Sequence, residues 1–284
     1  MTAILHRNLL LYFKNRTNVF FSLLGALIVF VLYVLFLRKN MLTTVVSIPN
    51  GAELLDRWLL GAILTVTALT TSFSALGQLI KDKTSHKLVD FSITDLRSYQ
   101  LLSGYFLSAM VIATLMQVAV FVVCYGYFYL VNGMTIAGSE IGKLCGLMVL
   151  TALCASAISL VICLLIQTEA TLRTVGSILG ALAGFITGAY IPIGNVSGVA
   201  EWAIKANPLS YASSLFRHVL MDAKLAKLPS DEAVYLKTYL GVAYEWQGQL
   251  TTPMVELAVL IGVCVVFTGL VLLLSKKMTI NLKT

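Results

Sequence analysis

The chain has 284 residues, of which 58% are apolar and only 12% charged, and its mean hydropathy is +0.90. Soluble domains run at roughly 45–50% apolar and about 25% charged, so this composition excludes an ordinary globular enzyme and specifies an all-α polytopic membrane protein. The net charge of +7 is scattered between apolar stretches, a pattern that suits topology and contact with membrane lipids and argues against nucleic acid.

Residues 1–17 are predicted to form an interfacial helix, with Leu5, Leu9, Tyr12 and Phe13 on one side and Arg7 and Lys14 on another. Six apolar stretches follow, at 18–37, 58–80, 101–125, 143–166, 174–191 and 254–275, each reaching or approaching the roughly 20 residues of a spanning helix. The first ends in Leu37-Arg38-Lys39 without a small-residue cleavage pattern, so it is expected to remain as a transmembrane helix. With both termini cytoplasmic, the inner segments hold eleven basic residues: Arg7, Lys14, Arg16, Lys81, Lys83, Lys87, Arg97, Arg173, Lys276, Lys277 and Lys283. The short outer segments hold four, Arg38, Lys39, Arg57 and Lys143. That asymmetry favours a multi-pass protein of the cell membrane with both ends inside.

In the second stretch Thr67, Thr71, Ser74 and Gln78 share one helical side, with Thr70 beside them. They are candidates for the polar lining of a transport path, or for hydroxyls bonded to their own helix. The following inner loop, 81–98, joins the polar residues Lys81, Asp82, Lys83, His86 and Lys87 to Leu88, Val89, Phe91, Ile93 and Leu96. A short amphipathic segment of this kind suits a groove on a soluble partner, or rest on the membrane surface.

Several chemistries are excluded along the way. Gly138-Ser139-Glu140-Ile141-Gly142-Lys143-Leu144 spaces its glycines too closely for a phosphate loop and lacks the hydroxyl after lysine. Cys124, Cys145, Cys154, Cys163 and Cys264 sit in apolar stretches without metal spacing and read as small buried hydrophobes. His6, His86 and His218 are far apart, and no nucleophile elbow, zinc-protease motif or dinucleotide loop is present. No catalytic residue, metal site or directly bound cofactor is expected.

Gly176, Gly180, Gly184 and Gly188 recur every four residues and predict a helix-packing stripe. Pro192, Gly194 and Gly198 then break the span, and Asn207 with Pro208 restarts a helix before the chain could cross again. Residues 192–253 therefore read as a re-entrant and extracellular segment. Within it, Arg217 is expected to snorkel outward or pair with Glu201 or Asp222. The polar run 222–253, carrying Tyr235, Tyr239, Tyr244 and Trp246, suits an outer loop touching headgroups, and Glu256 is expected at the interface. No internal repeat marks an inverted-repeat transporter.

The order of these features resembles the type-2 ABC transporter permease family: an inner amphipathic helix, six spans, a charged first inner loop, and an Asn-Pro segment before the last span. Asn207-Pro208-Leu209-Ser210-Tyr211 followed by Phe216-Arg217 is similar to the family's Asn-Pro-x-x-Tyr … Leu-Arg pattern, and the resemblance covers the whole chain. It departs in the inner loop, where Asp82 and Thr94-Asp95 stand in place of a glutamate-rich start and a Thr-Pro. The resemblance implies one permease domain over 1–284, paired with a second copy or a related permease and served by two copies of a separate ABC ATPase that binds ATP and Mg. It implies that the 81–98 loop couples to that ATPase, through Lys81 to Phe91. It also implies that spans two and five border the route of an exported drug, antimicrobial peptide or lipid-like substrate. The competing readings are an ion-gradient-driven secondary transporter and a non-transport immunity or sensor subunit of ABC type.

Overall fold

The computed structural model describes residues 2–43, 48, 50–88, 98–246 and 248–281. Helix α1 (Thr2–Lys14) stops where Asn15 caps α2 (Arg16–Leu32), its side chain accepting a hydrogen bond from the Asn18 amide at 3.0 Å. A π turn, Tyr33–Leu37, joins α2 to α3 (Arg38–Leu42) without breaking the rod. Helices α4 (Gly51–Thr84), α5 (Ser98–Asn132) and α6 (Gly138–Leu165) follow, then α7 (Glu169–Ile186). Next come a short 3-10 turn at Ile193–Asn195, α8 (Val199–Ala206), α9 (Pro208–Leu225) and α10 (Ser230–Tyr239). A two-residue hairpin, β1 (Glu245–Trp246) against β2 (Gln249–Leu250), leads into α11 (Pro253–Asn281).

Among the described residues, five helical runs are long and apolar enough to cross a membrane: Arg16–Leu42, Gly51–Thr84, Tyr99–Asn132, Gly138–Leu165 and Pro253–Val271. The expected fifth span at 174–191 is instead α7, an 18-residue helix whose first turns carry Glu169 and Arg173 and which ends at Ile186. It falls short as an independent apolar span.

Helix α4 is the axis of the bundle. Every residue from Leu54 to Leu69 is buried, as expected of a helix that is apolar all round and enclosed by others. It packs against α2, α5, α6, α7 and α9. Apolar side chains gain little from one another in lipid, so close packing and polar ties must hold such a bundle. Both are present. Gly77 receives the Leu172 side chain, with a Cβ position 3.1 Å from its Cδ2, and Gly176 receives Phe73 at 3.3 Å.

Candidate functional site

Helices α2 and α7 diverge on one side of α4 and leave a lateral cleft of about 1480 Å³ between the three. One end is polar, with Asn15, Asn18, Lys81, Glu169 and Arg173, and its middle is lined by Phe21, Gly25, Ile28, Phe73 and Leu179. Phe36, Phe185, Tyr190 and Ile191 close the other end. The opening depends on missing side chains: Gly25 and Gly180 face each other, a Cβ at Gly25 lying 3.5 Å from the Gly180 carbonyl oxygen.

The polar residues expected to line a path divide between two environments. Thr70 and Ser74 face the cleft. Thr67 and Thr71 are buried inside the protomer and donate to their own helix, at Ile63 (2.8 Å) and Thr67 (2.6 Å). Gln78 turns away to donate to Asp82 Oδ1 at 2.9 Å.

The glycine stripe also separates. Gly176 packs on α4, Gly180 opens to the cleft, and a Cβ at Gly184 would lie 2.3 Å from the Tyr190 ring. Gly188 is not on the helix at all. Because α7 ends at Ile186, Gly188 leaves the helical register and adopts φ +63°, a conformation that favours glycine.

Beyond the polar end of the cleft, Lys81, His86 and Lys87 are exposed. Lys83 is half-buried and donates to the Gln167 side chain. Asp82 is not a surface residue, contrary to its expected place in a docking surface. It is 1% exposed and accepts two bonds from Arg7, at 2.7 and 2.9 Å, together with bonds from Gln78 and from the Tyr105 hydroxyl. Leu88 is buried as well, and Phe91 lies outside the described residues. Arg7 therefore does not sit on a charged outer side of α1. The buried side of that helix is Ile4, Asn8 and Tyr12, while Phe13 is exposed.

Asn207 and Pro208 start α9 as their types dictate. The Asn207 oxygen accepts from the Leu209 amide at 3.3 Å, and its amide donates to the Ile186 carbonyl at 2.9 Å, fastening α9 to the end of α7. Arg217, three turns on, pairs with neither Glu201 nor Asp222. It is 1% exposed and donates to three backbone carbonyls: Gly188 at 2.8 Å, Gly241 at 3.1 Å and Trp58 at 3.4 Å. Its guanidinium also stands over the Trp58 ring, 5.0 Å from the centroid. Glu201 bonds Lys205 instead (2.7 Å), and Asp222 takes His218 (2.7 Å) and Lys237 (2.9 Å). Burial raises the Asp222 carboxyl, but the His218 and Lys237 bonds outweigh it and hold the group below the usual carboxylate range. Glu256, expected at the interface, is buried, accepting from Thr251 at 2.6 Å with His218 Nε2 3.8 Å away.

Two further buried clusters were not anticipated. Asp56 is fully enclosed and accepts from Tyr33 (2.8 Å), Arg38 (3.0 Å) and Asn132. Arg57, 2% exposed, bonds Glu53 at 3.0 Å, the Leu220 carbonyl at 2.6 Å and the Thr135 carbonyl. A basic residue just before an apolar stretch signals an outer charge in sequence, but the two carbonyls it bonds are 78 and 163 residues away. Of the cysteines, Cys145 is exposed and the other four are buried. Among the described residues, no three His, Cys, Asp or Glu side chains gather to hold a metal ion.

A bundle of long apolar helices around a largely apolar cleft with one charged end defines the class as a multi-pass membrane permease. The chain belongs to the ABC-2 type transporter family, whose model matches residues 1–221. No curated protein matches it. Membrane subunits of this family are permeases that typically carry no catalysis themselves, working with an ATPase that is a separate subunit.

Proposed function

We propose that the chain is the membrane subunit of an ATP-driven exporter, in which two permeases pair and two ABC ATPase subunits act on their inner ends. The observation that carries this reading is the lateral cleft: it runs from Lys81 and Arg173 at the inner end to Tyr190 and Ile191 at the outer, bordered by α4 and α7. A largely apolar cleft with a polar inner mouth suits an amphipathic cargo, whether a drug, an antimicrobial peptide or a lipid-like molecule. Of the hydroxyls on α4, Thr70 and Ser74 face it, and Lys81, Lys83, His86, Lys87, Leu88 and Phe91 belong to the segment that meets the ATPase. On this reading α7 is the sixth transmembrane element, α8 and α9 are re-entrant, and both termini are cytoplasmic in the cell membrane.

ATP binding on the partner would favour one of two permease states, and a switch from mostly inward to mostly outward needs a differential of about 5.5 kcal/mol. The test is purification of the tagged chain from its native membrane in mild detergent with identification of the proteins that co-elute. Recovery of an ATPase with nucleotide-binding motifs, lost on replacing Lys81 and Lys87 by Glu, supports the reading. Recovery of the chain alone, where a control ABC complex stays intact, overturns it in favour of a gradient-driven carrier. If the ATPase is recovered but deletion of the chain leaves export of every cargo class unchanged, the subunit is a sensor.

A further inference from the structure

Asp82 sits between two coupling-segment lysines, yet it is the one residue of Lys81-Asp82-Lys83 withdrawn from solvent. Four hydrogen bonds converge on its carboxylate from three helices: two from Arg7 of α1, one from Gln78 of its own helix and one from the Tyr105 hydroxyl of α5. The Arg7 bond is the two-pronged guanidinium–carboxylate form, which fixes angle as well as distance. Nearby contacts seal the same joint. Asn8 donates to Ser108 at 3.2 Å, and Ile4 presses on Gly104 so closely that a Cβ there would lie 2.9 Å from its Cγ2.

We infer that Asp82 is a positioning residue that makes α1, the inner end of α4 and the start of α5 one moving part, so that displacement of the coupling segment carries the interfacial helix with it. The inference rests on the proposed ATPase-coupled function. Its physical basis is that a carboxylate stripped of water exchanges partners slowly and at high cost, whereas a solvated surface pair would slip. Lys81 and His86 on the outside of the same two turns remain exposed, so the joint and the contact surface are separate faces of one segment. Asp82 touches neither cargo nor ATPase. It acts through Arg7.

The test uses the purified permease–ATPase complex in lipid nanodiscs, with spin labels at Leu10→Cys on α1 and, outside the moving part, at the exposed Val199→Cys on α8, in a Cys145→Ala background. The label distance is read without nucleotide and after trapping with ATP and vanadate. In the otherwise native complex the distance distribution shifts on trapping. Asp82→Asn and Arg7→Gln cut the shifted fraction about tenfold, while the ATPase still co-purifies and hydrolyses ATP. Arg7→Lys, which keeps the charge but not the fork, falls between. If Asp82→Asn does not accumulate, Arg7→Gln leaves Asp82 its Tyr105 and Gln78 bonds and carries the same measurement. An unaltered shift in these variants, or no shift in the native complex with its ATPase bound, overturns the inference. Absence of any ATPase from the native complex would instead overturn the proposed function.

Discussion

Arg217 shows how a single side chain can hold turns together through backbone carbonyls, with no ion pair of its own among the described residues. Two of its three acceptors are carbonyls of Gly188 and Gly241, with φ of +63° and +64°, so the left-handed turns that need glycine are also the ones that present their oxygens inward. Lysine cannot supply three directed bonds from a planar head. Arg217→Lys and Arg217→Ala should each cost about 2–3 kcal/mol, read as a lower melting temperature of the purified protein and reduced accumulation in membranes. Glycines provide a sharper contrast. A Cβ at Gly184 would meet the Tyr190 ring at 2.3 Å, whereas nothing lies within 4 Å of one at Gly180. Gly184→Ala should therefore destabilise, and Gly180→Ala should change stability by no more than about 0.5 kcal/mol. Gly180→Trp should leave melting nearly unchanged while blocking export, because it fills the cleft and not the core. The even spacing of four glycines was visible in sequence, but their four different neighbours were not: spacing fixes an angle around a helix and says nothing of where the helix stops.

At the scale of elements, the junction of α7 with α9 rests on Asn207. Asn207→Ala removes the cap to Leu209 and the bond to the Ile186 carbonyl, and should cost about 1 kcal/mol for the cap alone. Asn207→Asp keeps the cap acceptor but loses the donor to Ile186, so comparing the two melting temperatures separates the roles. The α9–α10 contact has a pH signature. Asp222 has a depressed folded value, so the stability it contributes is fully present above the usual carboxylate range and is lost as pH falls through that depressed value. Native protein should lose more melting temperature than Asp222→Asn between about pH 5 and about pH 3. This part of the molecule was half legible. Asn-Pro announces a helix start through local chemistry, whereas the partner of an ionisable side chain depends on which distant backbone passes by. Arg217 finds Trp58, 159 residues away, and Arg7 finds Asp82, 75 residues away.

For the whole molecule, composition and apolar run length were enough to establish a polytopic helical protein, because the bilayer imposes both. They placed α2, α4, α5, α6 and α11, with ends off by up to about seven residues. They misplaced the end of α7, whose apolar stretch runs on past Ile186 through a turn that hydropathy alone cannot see. The cleft was not legible either. It exists because α2 and α7 touch α4 through glycines and then part, which is a property of three helices together. The fully enclosed α4 has a further expected outcome. Leu64→Asn, at a 0% exposed position in the middle of that helix, would put an unpaired amide in the dry centre of the bundle and should abolish accumulation. The same change at Val123, which is 65% exposed on the outside of α5, should be tolerated better, as immunoblots of membrane fractions would read.

The carbonyls held by Arg217 also divide the chain. Trp58 and Gly188 precede Arg217 and Gly241 follows it by 24 residues. A chain cut after α9 would therefore keep two of the three acceptors and lose the third, leaving a buried guanidinium short of one partner.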